Sequence, residues 1–218
     1  MSRTVCLLGA TGLVGGHVLR LLAADPTWSR VVTLGRRPMP LAGDTHEHHV
    51  VDFDRLADEP GALECDDLAI CLGTTIKAAG SQAAFRRVDL EIPQEAAEIA
   101  RQRGATRLAM VSAYGADPTS RIFYNRVKGE AEVSVQTLGY ESVTLLRPSL
   151  LDGEREENRP AERIGLAVLR PLAPLLVGPL RPLRPTAATD VTRALVAALR
   201  SGDAGVHVLG PEAIRDIG

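Results

Sequence analysis

A glycine-rich turn between a strand pattern and a helix pattern constrains this chain more than any other feature. Residues 4–8 are an apolar run of strand-forming side chains, and from Leu13 the apolar residues recur at helical spacing. Between the two, Gly9, Gly12 and Gly15 give the spacing G-x-x-G-x-x-G. Glycine permits a tight turn and a close approach of backbone to ligand, and the following helix offers unpaired N–H groups to a pyrophosphate. The stretch predicts a dinucleotide site, the alternative being a tight strand-to-helix turn without a ligand.

The end of the second predicted strand indicates which dinucleotide binds. In folds of this kind a carboxylate roughly 20 residues past the glycine turn holds the adenosine ribose of NAD. Here Gly35, Arg36 and Arg37 occupy that place. Paired guanidiniums can clamp a 2′-phosphate through charge-assisted hydrogen bonds, whereas an acid would repel it. The sequence favours NADP(H) over NAD(H), and the alternative is a solvated basic turn.

Two further strand ends are expected to complete the cofactor site. Asp52, at the exit of the third predicted strand, either accepts a hydrogen bond from the adenine amino group or caps a helix around Asp54. The fourth predicted strand ends at Gly73, which we expect beside the glycine turn. The expected cofactor contacts are Gly9, Thr11, Gly12, Leu13, Val14, Gly15, Arg36, Arg37, Asp52, Phe53, Leu72, Gly73 and Thr74.

Strand and helix patterns alternate along the chain. This alternation predicts an α/β fold, a Rossmann-type, doubly wound, mostly parallel sheet with helices on both faces. Pro93 lies inside a long helical pattern and predicts a kink or a local break. The predicted strands are 4–8, 31–34, 50–53, 68–72, 107–112, 144–146 and 205–209, and the predicted helices begin at 13 and span 81–103, 120–138 and 189–199.

The chain after Pro148 has a different composition. Residues 152–163 are dense in charge and indicate a solvated loop that can form the rim of a substrate crevice. Residues 164–185 are apolar but interrupted by prolines, which favours short helical pieces over the crevice, the alternative being a helix on a membrane surface. We expect one NAD(P)-binding domain over 1–218, with a small C-terminal substrate-covering region built from segments after about residue 150.

Composition bounds the partners and the compartment. A net charge of −2 gives no reason to expect nucleic acid or an anionic membrane as partner. Three cysteines without paired spacing indicate a reducing compartment, and Cys6 and Cys71 are expected to be core residues. Because neither a signal peptide nor a transmembrane run is evident, the expected location is cytoplasmic. His46, His48 and His49 favour a solvated loop before a strand, since the further ligands of a metal site are not evident.

A tyrosine and a lysine one helical turn apart carry the predicted chemistry. Tyr124 and Lys128 share a helix face, where the ammonium favours phenolate and lowers a tyrosine pKa that is otherwise about 10. Ser112 ends the fifth predicted strand, at the edge of the sheet where the crevice is expected, and its hydroxyl can orient a carbonyl oxygen. The alternative is an ordinary helical pair on a solvated face.

These residues and the glycine spacing resemble the short-chain dehydrogenase/reductases, in particular their extended and atypical branches. Ser112, Tyr124 and Lys128 match the catalytic serine, tyrosine and lysine of that family. The resemblance narrows to the Tat-interacting-protein-like oxidoreductases. It rests on motifs spread over essentially the whole chain, Cys71-Leu-Gly-Thr-Thr, Phe85-Arg-Arg-Val-Asp89, Tyr124-x-x-x-Lys128-Gly-Glu, Arg147-Pro148, Arg159-Pro160 and Ala213-Ile-Arg-Asp-Ile.

The resemblance implies NADP(H) binding, with Lys128 also holding the nicotinamide ribose and the backbone after Pro148 near the carboxamide. Many members of the family have a fourth catalytic asparagine where this chain has Asp89, so the proton relay of that asparagine is not implied here. The narrower group also includes proteins known chiefly as regulators, which leaves the biological role open.

The predicted function is NADP(H)-dependent reduction of a small carbonyl, or oxidation of the corresponding alcohol, with Tyr124 as general acid and base. A monomer and a homodimer are both compatible with the sequence. Two other functions stay open: a non-catalytic NADPH sensor that binds a protein partner, and a nucleotide-sugar-type epimerase or dehydratase that returns its bound nucleotide unchanged. The residues do not identify the substrate.

Overall fold

Seven parallel strands form the central sheet of the computed structural model, which describes residues 2–59, 61–152 and 178–218. Two further strands lie outside this sheet, so the described residues form nine strands. In chain order they are Arg3–Leu8 (β1), Trp28–Gly35 (β2), His46–Val50 (β3), Asp67–Ile70 (β4), Arg107–Val111 (β5), Ser142–Leu146 (β6), Leu151–Asp152 (β7), Thr186–Ala187 (β8) and Gly205–Leu209 (β9). The sheet has the order β3-β2-β1-β4-β5-β6-β9, and β7 and β8 form a separate parallel pair. The order reverses between β1 and β4, the place where open sheets of this type bind ligands.

Helices cover both faces of the sheet, as the alternating pattern predicts. They are Leu13–Ala24 (α1), Ile76–Ala79 (α2), Gln82–Arg86 (α3), Ile92–Gln102 (α4), Phe123–Gln136 (α5), Ala188–Ser201 (α6) and Pro211–Ile217 (α7), with 3₁₀ segments at Phe53–Asp58 and Gly178–Leu183. Helices α4 and α5 pack on one face of the sheet, and α1 and α6 pack on the other. Because both faces are covered, β4 and β6 are buried along their whole length. The predicted Rossmann-type α/β fold is confirmed.

The third strand lies earlier in the chain than predicted. The sequence predicts a strand over 50–53, but β3 covers His46–Val50. The histidines are therefore strand residues and not a loop, because two of their rings find hydrogen-bond partners on β2. Phe53 instead begins a 3₁₀ segment that Asp52 caps, its Oδ1 accepting the Asp54 N–H at 3.0 Å. Across the described residues, no three His, Cys, Asp or Glu side chains cluster in a way that could hold a metal ion.

The long helical pattern around Pro93 is interrupted, as predicted. Helix α3 continues into one π-helical turn, Arg87–Glu91, and then into α4. The Ile92 N–H donates to the carbonyl of Arg87, five residues back. Proline has no N–H to bond the carbonyl four residues before it, so the wider turn accommodates Pro93 in the first turn of α4. The same turn carries Asp89, whose side chain is completely buried.

Two C-terminal features were not predicted, the β7–β8 pair and helix α7. Strands of two residues each are too short to show a hydrophobic period. The predicted strand at 205–209 is confirmed as β9. The expectations for 152–163 and 164–185 lie largely outside the described residues. In the part of the chain that the structure describes, no helix is both long and apolar enough to cross a bilayer.

Candidate active and cofactor site

The glycine turn connects β1 to α1 at the carboxyl edge of the sheet. Gly9 has a positive φ of 87°, and a Cβ at this position would lie 2.6 Å from the carbonyl carbon of Cys71. A Cβ on Gly15 would overlap the carbonyl oxygen of Gly9, so only glycine lets α1 approach the turn this closely. Helix α1 begins after Gly12 without a capping side chain and without an acidic residue in its first turn. Its first N–H groups can therefore receive a pyrophosphate.

The other expected contacts on this turn differ in exposure. Thr11 is exposed, Leu13 is half-buried and Val14 is only 5% exposed. The side chain of Val14 belongs to the core between the sheet and α1. Val14 can thus reach a cofactor only through its backbone N–H, and the cradle that the turn offers is mainly a backbone cradle.

The segment after β4 lies beside the glycine turn, as predicted, since a Cβ on Gly9 would lie 2.9 Å from the backbone nitrogen of Leu72. The Thr74 N–H donates to Oδ2 of Asp89 at 2.9 Å. A Cβ on Gly73 would lie 3.7 Å from Asp89 Oδ1 and 3.9 Å from Lys128 Nζ. Leu72 packs against the core on the α4 and α5 side. The backbone over Leu72–Thr74 therefore rests directly on a buried polar cluster.

The turn after β2 carries the two arginines expected at a 2′-phosphate. Arg36 and Arg37 are both exposed, and neither forms an ion pair with another described residue. The backbone of the turn is held by β3, since the Val51 N–H donates to the Gly35 carbonyl at 2.9 Å. His48 Nε2 lies 2.9 Å from the carbonyl oxygen of Arg37. The guanidiniums are free of competing carboxylates within the described chain, as an anion-binding turn requires.

At the exit of β3, Asp52 and Phe53 have structural roles of their own. Capping engages Oδ1 of Asp52, which is the second of the two roles considered for this carboxylate. Phe53 packs partly buried against the core, and its carbonyl accepts a hydrogen bond from Nη2 of Arg87 at 2.5 Å. An adenine contact by Asp52 stays a prediction.

Ser112 lies one residue beyond β5 and is 5% exposed. Its N–H donates to the Leu146 carbonyl at 2.7 Å, and the Tyr114 N–H donates to the Pro148 carbonyl at 2.8 Å. These bonds bring the ends of β5 and β6 together, so Ser112 and Pro148 share one edge. The Ser112 Oγ is buried and has no hydrogen-bond partner among the described residues. A buried hydroxyl without a partner is costly, and a ligand oxygen would remove that cost.

Helix α5 places Tyr124 and Lys128 one turn apart. The half-buried ring of Tyr124 packs against Phe85, with ring centroids 5.6 Å apart. Lys128 is only 5% exposed. The pair is therefore not on a solvated face, which was the alternative to a catalytic pair.

Gly129 sets the distance between α5 and the loop after β5. A Cβ on Gly129 would overlap the backbone of Asp117 and Pro118. The same loop is bonded to the helix, because the Asp117 N–H donates to the Asn125 carbonyl at 3.0 Å. The close packing of this loop on α5 depends on a glycine directly after Lys128.

Asp89 is the site residue whose contacts the sequence did not reveal. Its Oδ1 lies 2.7 Å from Lys128 Nζ, and its carboxylate is completely buried. Since Oδ2 accepts the Thr74 N–H, one side chain joins α5 to the turn after β4. One signal in the sequence pointed to this position, the asparagine that many members of the resembled family have there. The contact with Lys128 depends on how the π-helical turn packs against α5.

The charges around Lys128 keep its side chain cationic. Burial by itself would lower the pKa of the ammonium, but Asp89, Tyr124 and Glu132 together raise the pKa of Lys128 above its usual value. Glu132 is in turn paired with Arg147. The negative charge of Asp89 also offsets part of the positive field that Lys128 exerts on the Tyr124 phenol.

Known proteins resemble this chain over most of its length. The NAD dependent epimerase/dehydratase family matches residues 5–212. Protein fmp52, mitochondrial, from Emericella nidulans is 36% identical over 167 residues, which cover 73% of this chain and 72% of that protein. Protein HTATIP2 from Rattus norvegicus is 33% identical over 165 residues, covering 74% of this chain and 68% of that protein.

Solved structures share the fold at lower identity. MoeE5 in complex with UDP-glucose and NAD superposes with a TM-score of 0.70 and 20% identity, covering 94% of this chain and 75% of that chain. The dTDP-4-dehydrorhamnose reductase from Bacillus anthracis in complex with NADP has a TM-score of 0.66 and 13% identity, covering 96% and 75% of the two chains. At these identities the likeness concerns the fold alone.

The expectation of a cytoplasmic location is wrong. It is contradicted by curated relatives that are named as mitochondrial, from Emericella nidulans, Aspergillus clavatus and Coccidioides immitis. The resemblance to Tat-interacting-protein-like proteins is confirmed by the rat relative and by the family match. With its parallel sheet, its glycine turn and this match over nearly all of its residues, the chain belongs to the NAD dependent epimerase/dehydratase family of NAD(P)-binding proteins.

Proposed function

We propose that the protein is an NADP(H)-dependent oxidoreductase that reduces a small carbonyl compound or oxidises the corresponding alcohol. The observation that carries this proposal is the buried cation of Lys128 one turn from Tyr124, at the sheet edge where Ser112 presents a buried hydroxyl without a partner among the described residues. When bound, the nicotinamide supplies or accepts the hydride. The residues of the chain itself handle the proton and orient the substrate oxygen.

Each of the three side chains has a distinct task. The phenol of Tyr124 donates its proton to the substrate oxygen during reduction and recovers it during alcohol oxidation. The ammonium of Lys128 stabilises the phenolate that forms and donates to the ribose of the cofactor. The hydroxyl of Ser112 donates to the carbonyl oxygen and so favours negative charge there. Asp89 keeps Lys128 charged and in place, because the pair is buried and only 2.7 Å apart.

In this proposal, backbone N–H groups hold the pyrophosphate of the cofactor, and charged side chains hold its 2′-phosphate. The first turn of α1 receives the pyrophosphate, and Arg36 and Arg37 receive the 2′-phosphate of NADP(H). The fit is supported by the uncapped start of α1 and by two exposed guanidiniums without an acidic neighbour in the described chain. The turn over Leu72–Thr74 and the backbone after Pro148 flank the nicotinamide half.

We further propose that residues 1–218 act as one domain, with the segments after about residue 150 supplying the substrate-covering region. The β7–β8 pair supports this division, since it ties the chain just after Pro148 to the start of α6. The partner is a small molecule, and the active form is a monomer or a homodimer.

One observation favours a second function, an NADPH sensor without turnover. Asp89 offsets the charge of Lys128, so the phenol of Tyr124 is activated less than it would be beside an unpaired lysine. A sensor would keep the cofactor site, which depends on backbone and arginines, and would need no strong proton donor. An epimerase or dehydratase that retains its nucleotide is the remaining alternative.

A screen of aldehydes, ketones, quinones and nucleotide sugars with NADPH and with NADH separates the three functions. We expect loss of NADPH absorbance with at least one carbonyl substrate, and slower loss with NADH. Tight NADPH binding without turnover across the panel would favour the sensor. Product formed from a nucleotide sugar without net change in NADPH would favour the epimerase.

A further inference from the structure

Two histidines of β3 meet a single threonine hydroxyl on the neighbouring strand β2. Thr33 Oγ1 lies 2.7 Å from His46 Nε2 and 2.9 Å from His48 Nδ1. The other acceptors near this hydroxyl are more distant, the Glu47 carbonyl at 3.4 Å and the Met39 sulfur at 3.8 Å. Thr33 and His46 are buried, so these contacts are sheltered from water. The three side chains therefore form one hydrogen-bonded group.

Backbone groups at both ends fix the direction of every bond in this group. The Ala42 N–H donates to His46 Nδ1 at 2.9 Å, so the neutral ring carries its proton on Nε2 and donates it to Thr33. The carbonyl oxygen of Arg37 can only accept, so His48 carries its proton on Nε2 as well. His48 Nδ1 is then an acceptor, and the Thr33 hydroxyl donates to it. One arrangement of protons satisfies all four contacts, with both rings neutral.

We call the hydrogen-bonded group of Thr33, His46 and His48 the relay. It holds the segment that follows β2 at two points, the carbonyl of Arg37 and the N–H of Ala42. The ring of His48 also packs under the start of this segment, since a Cβ on Gly35 would lie 3.0 Å from its Cε1. Arg36 and Arg37 project from the backbone that is held in this way. A fixed backbone leaves only the two side chains to be ordered when an anion binds, which lowers the entropic cost.

The relay holds the backbone of the turn without placing a charged group beside the arginines. A carboxylate in the same place could accept hydrogen bonds from the turn, but it would pair with the arginines and repel a phosphate. Glu47 is the acidic residue between the two histidines, and it is engaged elsewhere by Arg30 at 2.7 Å and by His49 at 3.8 Å. Neutral rings leave the guanidiniums unpaired for the ligand.

We propose that Thr33, His46 and His48 are positioning residues that set the cofactor preference by holding the turn of Arg36 and Arg37 in the conformation that receives the 2′-phosphate. This inference rests on the proposed function, in which NADP(H) is the preferred cofactor. It gives the histidine-rich strand a task that neither a metal site nor a solvated loop would explain.

The test is the ratio of the dissociation constants for NADH and NADPH, measured by calorimetry on the full chain. His48→Phe keeps a ring under Gly35 but removes both nitrogens, and Thr33→Val removes only the central hydroxyl. We expect each to weaken NADPH binding by about three- to tenfold and NADH binding by less than about twofold. The two cofactors differ only in the 2′-phosphate, so a general loosening of the fold would weaken both alike.

His49→Phe is the matched control, because His49 is the next residue of the same strand and pairs with Glu47 outside the relay. It should leave the ratio unchanged. If the wild type prefers NADPH and both relay variants keep that preference, the relay has no part in it and the inference is overturned. A wild type that binds NADPH and NADH equally would overturn the proposed cofactor as well.

A spectroscopic measurement tests the relay without any cofactor. Nitrogen-detected NMR reports the tautomer of each imidazole, and the relay requires a proton on Nε2 and none on Nδ1 in both His46 and His48 near neutral pH. A proton on Nδ1 of either ring would break the chain of bonds and overturn the inference, even if the variants prove too unstable for calorimetry.

Discussion

The turn after β2 and the turn after β4 are held in different ways. The first carries two exposed arginines, and its backbone is bonded to uncharged imidazole rings of β3. Under the second, the buried ammonium of Lys128 is held by the carboxylate of Asp89. The difference follows from what each region is proposed to bind. A 2′-phosphate brings its own charge, so Arg36 and Arg37 must stay unpaired until it arrives. Lys128 is proposed to contact the ribose and not a phosphate. Because burial alone would lower the pKa of its ammonium, Asp89 supplies a compensating charge.

Removing the buried cation should have the largest effect. In Lys128→Met we expect turnover to fall by about 10²–10⁴-fold and NADPH affinity to fall as well, because the ammonium serves both phenol and ribose. Asp89 would be left buried and unpaired, at a cost of about 3 kcal/mol in the free energy of unfolding. Steady-state kinetics, calorimetry and urea denaturation measure the three quantities.

The other lysine of the chain supplies the control. Lys77→Met, on the short helix α2, should change none of these quantities. Adding Asp89→Asn to Lys128→Met should recover part of the lost stability but none of the turnover, since it removes the unpaired charge without restoring the cation. Full activity in Lys128→Met would show that the charged pair is only structural.

Removing an exposed guanidinium should have a smaller and more selective effect. In Arg36→Ala we expect NADPH to bind about 10- to 150-fold more weakly, the equivalent of about 1.5–3 kcal/mol for a lost charge-assisted contact, while NADH changes by less than about twofold. Arg193→Ala, on α6, removes the same charge far from the turn in sequence and should alter neither constant. Equal losses for both cofactors in Arg36→Ala would contradict the assignment of the turn.

Neutralising Asp89 should shift a pH profile. In Asp89→Asn the ammonium loses the partner that raises the pKa of Lys128, and the phenol of Tyr124 meets an uncompensated positive charge. The uncompensated charge lowers the pKa of the phenol, and the lysine loses its own proton at a lower pH. Carbonyl reduction needs both groups protonated, so the alkaline limb of its rate should move down by about one pH unit. Asp58→Asn, an exposed carboxylate of the 3₁₀ segment, should leave the profile where it is. A profile that does not move in Asp89→Asn would remove Asp89 from the proton chemistry.

The smallest effect concerns the neutral relay. Burial, followed by the neighbouring imidazole of His48, lowers the pKa of His46 in the folded protein. Below the ordinary histidine pKa of about 6.5 the unfolded chain takes up a proton that the folded chain resists, so stability is present at neutral pH and lost as the pH falls. When the pH is lowered from about 7.5 to about 5.5, the free energy of unfolding should fall by up to about 1 kcal/mol more in the wild type than in His46→Leu. Urea denaturation at the two pH values measures this difference. An identical pH dependence would show that His46 is protonated as easily in the folded state.

The features that the sequence predicts well are those whose requirement lies within a few consecutive residues. The turn at Gly9 and Gly15 needs glycine for steric reasons, and Pro93 must disturb its helix because it has no N–H. The spacing of Tyr124 and Lys128 likewise follows from one helical turn. Each of these three features follows from the properties of neighbouring residues, and the structure has all three.

Contacts between distant elements could not be predicted in this way. The pairing of Asp89 with Lys128 depends on the π-helical turn and on how two helices pack. The third strand was predicted too late because its histidines are polar, and their partner Thr33 lies on another strand. The β7–β8 pair is too short to leave a pattern. These features depend on contacts between elements that are distant in the sequence, and such contacts exist only in the assembled fold.

The central claim is that the phenol of Tyr124 donates the proton in NADPH-dependent carbonyl reduction. It is tested most directly by the single-turnover rate of NADPH oxidation at saturating cofactor, on a substrate found in the screen, for the wild type, Tyr124→Phe and Tyr114→Phe. Tyr114, 45% exposed on the loop after β5, controls for the loss of a phenol oxygen. The account predicts that the rate falls by about 10²–10⁴-fold in Tyr124→Phe alone, with NADPH affinity unchanged. A Tyr124→Phe enzyme as fast as the wild type would contradict it.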